Sequence, residues 1–381
     1  MNEDFWYELA GQPEAVELIK KAVAQRDEGV FHSWLITGPP GSGRSVLAKK
    51  FAAAMQCPEQ GCGKCHSCVL ANAETHPDIT VLTTEKVQIT IAEVRDLVAN
   101  SSFGSSMGRF RVLIIEDADR MAPIASNVLL KALEEPPANT IWILCAPSEA
   151  DMLPTIRSRV RKVVLKVPAV EDVAKLLMAR EGIDSRLAHL VAAEAQSHIG
   201  MARRLALSPE TRARRHEYLQ AAMSIKNVTH AVKAADKWLE LAKKDALALT
   251  KERDEEERLG LLHSLGLAPG DTVPPQYRPD IKRLEENQKR RATRSLRDGL
   301  DRIFVDLLAL YRDVLSVQLV AGVPLVNKDL QTQIHEVAST TKPEQTLHVI
   351  DEIEKARYRI DRNVRDVYVL DSLAATMKRS A

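Results

Sequence analysis

Gly38-Pro39-Pro40-Gly41-Ser42-Gly43-Arg44-Ser45 decides how this chain is read. The stretch has the spacing of a phosphate-binding loop, with glycines at both ends and a hydroxyl at Ser45. Residues 34–37 (WLIT) before it form a short apolar run of strand type, and residues 45–55 (SVLAKKFAAAM) after it read as a helix. Strand, glycine loop and helix together raise the motif above chance. Gly38, Gly41 and Gly43 allow backbone N–H groups to turn inward around phosphate, and the helix N-terminus adds partial positive charge. Ser45 takes the place of the hydroxyl that holds Mg²⁺. Arg44 stands where such loops carry lysine, so a planar guanidinium replaces a compact ammonium. ATP with Mg²⁺ is the expected ligand, against the plainer alternative of a structural relic. Hydrolysis is a separate question.

A second apolar run, Arg111-Val112-Leu113-Ile114-Ile115, ends in Glu116-Asp117-Ala118-Asp119. Carboxylates at the end of a strand beside such a loop form a Walker B arrangement. One acid holds the metal and the next orients or deprotonates the attacking water. The usual order is Asp then Glu, and here it is reversed. Glu116 at the metal position gains a methylene, and Asp117 at the base position loses one. A misplacement of ~1 Å costs about 10²-fold in rate, so Arg44 and the reversed acids together argue against robust hydrolysis. The alternative is that the acids only cap the helix that follows.

The composition sets outer limits. A chain of 381 residues implies two or three domains. With 45% hydrophobic but only 4% aromatic residues it is Ala/Leu/Val-rich and strongly helical in character. No apolar run nears the ~18 residues of a membrane span, and the acidic start MNEDFWYELAGQ lacks a signal-peptide pattern. A formal net charge of +1 gives no global attraction to nucleic acid.

Four of the five cysteines, Cys57, Cys62, Cys65 and Cys68, fall within twelve residues, interleaved with Gly61, Gly63, Lys64 and His66. Four thiolates so closely spaced can surround a tetrahedral Zn²⁺, and the glycines permit tight knuckles. With four ligands filled, the site is expected to be structural. Two local disulfides are the alternative, and His66 replacing one thiolate is a variant. Cys145, within the apolar run IWILCA, reads as a buried residue.

Five strand-like runs lie in the first 167 residues, at 34–37, 79–82, 111–115, 141–145 and 163–167. Their unbroken apolar character predicts a parallel sheet covered on both faces, an α/β domain over 1–167 with the cysteine module at 57–68. A helix is predicted over 119–135, stopped by Pro136-Pro137. Residues 168–207 are helical, with breaks expected at Gly182 and Gly200, and form a small lid. Residues 208–381 read as helices only, with a charged, partly linker-like segment at 250–298. Within that segment, 267–275 (LAPGDTVPP) carries the linker signal and 282–297 forms a basic helix, either a solvated face or a nucleic-acid patch. Two long amphipathic helices close the chain. Their stripes are Leu300, Ile303, Phe304, Leu307, Leu308, Tyr311, Val314, Leu315 and then Leu347, Ile350, Ile353, Ala356, Ile360, Val364, Val367. Near 155–160 (TIRSRV) an arginine outside its own pocket could reach a neighbour's γ-phosphate, the alternative being an ordinary surface arginine.

These elements, in order, resemble the clamp-loader branch of the AAA+ ATPases, as found in bacterial DNA polymerase III. The resemblance rests on Gly11-Gln12, HSWLITGPPGSGRS (32–45), the four-cysteine module, IIEDADRM (114–121), LLKALEEPP (129–137) and TIRSR (155–159). It covers 1–207 closely and the rest loosely. It implies an AAA+ base with a zinc module, a lid and an all-α collar that holds a five-membered ring together. The family's Ser-Arg-Cys motif carries an arginine finger in trans; Ser158-Arg159-Val160 keeps the arginine and loses the cysteine. The lid's nucleotide-sensing arginine matches Arg203. The implied partners are gamma/tau-type ATPase and delta subunits, the sliding clamp and primer-template DNA, in the cytoplasm. The departures at Arg44 and Glu116-Asp117 fit members with degraded sites that act as stators with little or no ATPase activity of their own. The rival readings are an active gamma/tau-type motor, or a DNA-binding module using 282–297.

Overall fold

A computed structural model describes residues 3–29, 31–84 and 88–378, with Glu3, Asp4 and Glu252 described only in backbone. The chain divides into two compact units, Met1–Leu207 and Ser208–Ala381.

The first unit is built on five parallel strands, β1 (Ser33–Thr37), β2 (Ile79–Leu82), β3 (Arg111–Ile115), β4 (Thr140–Ala146) and β5 (Arg161–Val164), in the order β2-β3-β4-β1-β5. This is the α/β class with a five-stranded parallel sheet that the sequence predicts. The phosphate loop leaves β1 and the acids leave β3, with β4 between them. Alternate side chains serve opposite faces, as a period of two requires. Trp34, Ile36, Val112, Ile114, Ile143 and Cys145 pack with Leu47 and Phe51 of the helix after the loop, Arg44–Gln56. Leu35, Leu113, Ile115, Trp142 and Leu144 pack beneath the helices Ile91–Ser101 and Pro123–Glu134. All of these strand residues are buried. Each buried aliphatic side chain contributes roughly 1.5–3 kcal/mol, and a one-residue slip would exchange the two faces.

Several boundaries differ from the sequence reading. β5 spans 161–164, not 163–167, because pairing with β1 sets its register: Trp34 faces Arg161 and Thr37 faces Val164. The Arg161 guanidinium lies 5.1 Å from the Trp34 ring centroid, so a charged residue opens the strand. The helix expected over 119–135 begins at Pro123, after a 3₁₀ turn at Ala118–Arg120.

Three helices follow β5: Val170–Glu181, Ser185–Glu194 and Ile199–Leu207, around a small core that includes Val173, Leu177, Val191 and Leu205. Gly182 ends the first of them in the left-handed region, φ +66°. Gly200 lies inside the third helix. The second break falls at Gln196 and Ser197, at φ +52° and +61°.

Among the described residues the second unit holds six helices longer than three turns or close to it: Pro209–Met223, Val228–Ser264, Arg278–Gln318, Gln331–Thr340, Pro343–Asp361 and Asp366–Thr376. Trp238, Leu300, Phe304, Leu307, Leu310 and Ile353 lie at the centre of its core. The segment 250–298 is mostly helix. The basic run 282–297 and the stripe from Leu300 onward form one continuous helix, passing through Gly299 where it meets the backbone of Ala242. Arg291 ties this hairpin together, with Nη1 2.6 Å from Asp254 and Nη2 2.8 Å from Glu257. The final stripe is two helices, not one, because Asn363 turns to φ +63° between them, leaving Val364 and Val367 exposed. Among the described residues no helix is long and apolar enough to cross a membrane.

Candidate nucleotide and metal sites

The loop wraps the N-terminus of the helix Arg44–Gln56, with Gly43 as its N-cap at φ +96°. Arg44 folds back over the loop. Its Nη1 donates to the carbonyl of Gly38 at 2.8 Å, and its Nη2 lies 3.8 Å from Asp117 Oδ1. Ser45 follows on the helix's first turn. The loop is also gripped from outside. Buried Gln12 donates to the carbonyls of Lys166 (2.7 Å) and Ser42 (3.4 Å), while its Oε1 accepts from Lys166 N–H at 3.0 Å.

At the end of β3, Glu116 accepts from Thr83 Oγ1 at 3.1 Å, and its Oε1 lies 3.4 Å from Lys49 Nζ. Lys49 is shared with Glu74, 2.7 Å away. Asp117 sits in the left-handed region at φ +51°, which a short polar residue tolerates. Asp119, like the other two acids, is half-buried. Burial, reinforced by the charge of Asp117, raises its carboxyl above the ordinary range, and its buried Oδ1 has no hydrogen-bond partner among the described residues.

The resemblance gives the nucleotide-sensing role in the lid to Arg203. The Arg203 guanidinium pairs with Glu181 at 2.5 Å, on the neighbouring lid helix. His198 is the lid residue that meets the loop. Ile199 N–H donates to the Gly41 carbonyl at 3.3 Å, and a Cβ at Gly41 would lie 2.2 Å from the His198 ring. Gly41 is thus a glycine because the lid rests on it. Neither His198 nor Lys49 carries a local sequence signal; both act through folding partners far away in the chain.

Arg159 follows the short helix Pro154–Arg157. Its Nε lies 2.5 Å from Glu134, and Nη1 donates to Thr155 O at 2.8 Å and Ser158 Oγ at 3.0 Å. Its side chain remains about a third exposed.

The four clustered cysteines are free thiols whose sulfurs all lie within 4.8 Å of one another. Cys57 Sγ lies 3.6 Å from Cys62 Sγ and 3.7 Å from Cys65 Sγ. Four sulfurs around a tetrahedral ion at about 2.3 Å stand about 3.8 Å apart, so the set can hold a metal ion as it stands. Burial opposes charge at Cys57, but N–H groups of Cys62 and Gly61 directed at its sulfur outweigh it and bring the thiol to about 7. His66 is exposed and outside the cluster. Cys145 is buried in β4, and burial pushes its thiol up to about 12.

Residues 11–169 match the family described as DNA polymerase III, delta subunit. A delta-prime subunit from Pseudomonas aeruginosa is 39% identical over 134 residues, 34% of this chain and 41% of that protein. The Bacillus subtilis delta-prime subunit is 24% identical over 376 residues, 96% of each chain. A gamma/tau subunit from Mycobacterium tuberculosis is 30% identical over 158 residues, 40% of this chain and 27% of that one. The chain spans about half the length of the first curated relatives it matches. The P-loop, the reversed acids and the four-cysteine module all lie within the residues that match this family.

Proposed function

We propose that this chain is a clamp-loader subunit of the DNA polymerase III holoenzyme, a stator that donates Arg159 in trans. Its second unit would form the collar contacts with gamma/tau-type ATPase and delta subunits in a five-membered ring. The ring would couple ATP binding and hydrolysis to placing the sliding clamp on primer-template DNA at the replication fork in the cytoplasm. The four cysteines would hold a structural Zn²⁺.

The observation that carries this reading is how the chain's own charges occupy its catalytic positions. Arg44 is engaged with Gly38 and Asp117, and Glu116 with Thr83 and Lys49. An attacking water therefore finds no unengaged carboxylate at the two Walker B positions. Should ATP and Mg²⁺ enter, Gly38, Gly41, Gly43, Arg44 and Ser45 would face the phosphates and Glu116 the metal, with Asp117 as a weak base and Arg203 as a sensor only if it left Glu181. Arg159, by contrast, lies at the surface and is held by an exposed partner, Glu134, that a neighbour's γ-phosphate can replace.

The rival is a gamma/tau-type motor. The test is ATP turnover by the chain alone and then with motor and delta subunits, clamp and primed DNA. The proposal expects no turnover alone and stimulated turnover in the mixture. Arg159→Ala should lower the stimulated rate by ~10³-fold or more at the site it serves. Substantial turnover by the chain alone would favour the motor.

A further inference from the structure

Arg26 is a charged residue buried where no acid meets it. It opens the short helical turn Arg26–Gly29 and is only 6% exposed. Its Nη1 donates to the carbonyls of Ala54 at 2.9 Å and Cys57 at 2.6 Å, and its Nη2 to that of Pro58 at 3.0 Å. Its Nε is buried with no partner, and among the described residues no carboxylate lies within ion-pair distance of it. The nearest acid in sequence, Asp27, is paired instead with Arg109.

A buried cation without a counter-ion is costly unless something nearby supplies negative charge. The carbonyls at the end of the helix Arg44–Gln56 supply part of it, because the last turn of a helix carries unpaired acceptors and the negative end of the dipole. That contribution is modest for a fully buried guanidinium. A larger source lies in Cys57, the helix C-cap, whose carbonyl is the shortest contact Arg26 makes and whose sulfur belongs to the four-thiol cluster. Four thiolates around one divalent ion carry a net charge of −2.

We propose that Arg26 is the positioning residue of the metal centre, its guanidinium fixing the backbone of the first ligand and balancing the excess negative charge of the loaded site. The inference rests on the reading of the cysteines as a metal site and goes beyond it by giving the centre a cationic partner from outside the motif. The fork geometry matters as well as the charge. Four carbonyls, of Ala54, Met55, Cys57 and Pro58, are held by one planar group, which an ammonium cannot reproduce. The cost of losing such an outer contact is typically 10–100-fold in metal affinity.

The test uses the full chain and two variants, Arg26→Gln and Arg26→Lys. Zn²⁺ affinity and release are followed by competition with a chromophoric chelator, and the site is loaded with Co²⁺ to read its thiolate-to-metal absorption. Arg26→Gln is expected to lose Zn²⁺ about 10- to 100-fold more readily and to shift the Co²⁺ bands. Arg26→Lys, which keeps the charge but not the fork, should fall between it and wild type. A residue that only caps the helix would lower thermal stability in loaded and metal-free protein alike and leave affinity and bands unchanged, which would overturn the proposal. If Arg26→Gln does not fold, Arg26→Lys decides by the same readouts: wild-type affinity and spectrum there overturn the fork argument. A wild-type chain that binds neither Zn²⁺ nor Co²⁺ would remove the metal reading itself. A wild type that binds beside an indistinguishable Arg26→Gln would remove only the role of Arg26.

Discussion

Arg44 donates to the carbonyl of Gly38, the residue that opens its own phosphate loop, across 2.8 Å. The loop is thereby tied end to end by the side chain that elsewhere would face a γ-phosphate. Arg44→Lys should untie it, because a compact ammonium has no fork to span carbonyl and carboxylate together. We expect about tenfold tighter binding of a fluorescent ATP analogue, roughly 1.4 kcal/mol. Turnover should stay at the wild-type level, since Glu116 keeps its partners Thr83 and Lys49. Fluorescence titration and a phosphate-release assay read the two effects separately. Unchanged affinity would mean that Gln12 and His198, not Arg44, keep the loop closed.

Asp78 organises the loop before β3. Its buried carboxylate accepts from Ser106 N–H (2.6 Å), Ser106 Oγ (2.9 Å), Met107 N–H (2.9 Å) and Gly108 N–H (2.6 Å). Burial opposes the charge, but these donors outweigh it and lower the carboxyl from 3.8 to about 2. A depressed carboxyl stabilises the fold fully above its unfolded value, and that stability is lost as pH falls through the folded one. Asp78→Asn should cost about 2–3 kcal/mol near neutrality. The gap from wild type should close between pH 3.8 and about 2. Urea unfolding at stepped pH would show it, and a gap independent of pH would contradict the assignment.

Gly299 lies within a continuous helix, where a Cβ would meet the backbone of Ala242 at 3.6–3.8 Å, an ordinary contact distance. Gly299→Ala should therefore stabilise the second unit by roughly 0.5–1 kcal/mol through helix propensity. Gly299→Leu, which must place a branched side chain against that backbone, should destabilise it by about 1–3 kcal/mol. Thermal unfolding of the pair separates the two effects; destabilisation by alanine would mean the helices cannot yield at all there.

Val320 ends the same helix at φ +51° although its side chain is 88% exposed. A β-branched residue gains nothing there and strains the left-handed cap. Val320→Gly should raise stability by about 1 kcal/mol, visible as a higher midpoint in denaturant. A fall would show that the valine makes a contact outside this chain.

The core of the first unit was legible because buried parallel strands leave unbroken apolar runs, as at Trp34–Leu35–Ile36 and Leu113–Ile114–Ile115. The cysteine cluster was legible because its ligands are close in sequence. β5 was misplaced because an edge strand can begin with Arg161 and Lys162, so hydropathy does not mark its start; pairing with Trp34 does. The lid break was assigned to Gly200 on glycine's usual role, whereas Gln196 and Ser197 take the left-handed conformation. His198 against Gly41, Lys49 between Glu74 and Glu116, and the burial of Asp119 arise from folding alone. Each joins residues whose spacing in the chain carries no pattern.

β5 closes one edge of the sheet, with Val163 turned inward and Arg161 and Lys162 in solvent. An open strand edge is a template on which another chain can add its own ladder. Here that edge begins with two charged side chains, Arg161 over the Trp34 ring and Lys162 paired with Glu149 at 2.5 Å. The charged start that obscured β5 in the sequence is the kind of edge that disfavours pairing with another chain.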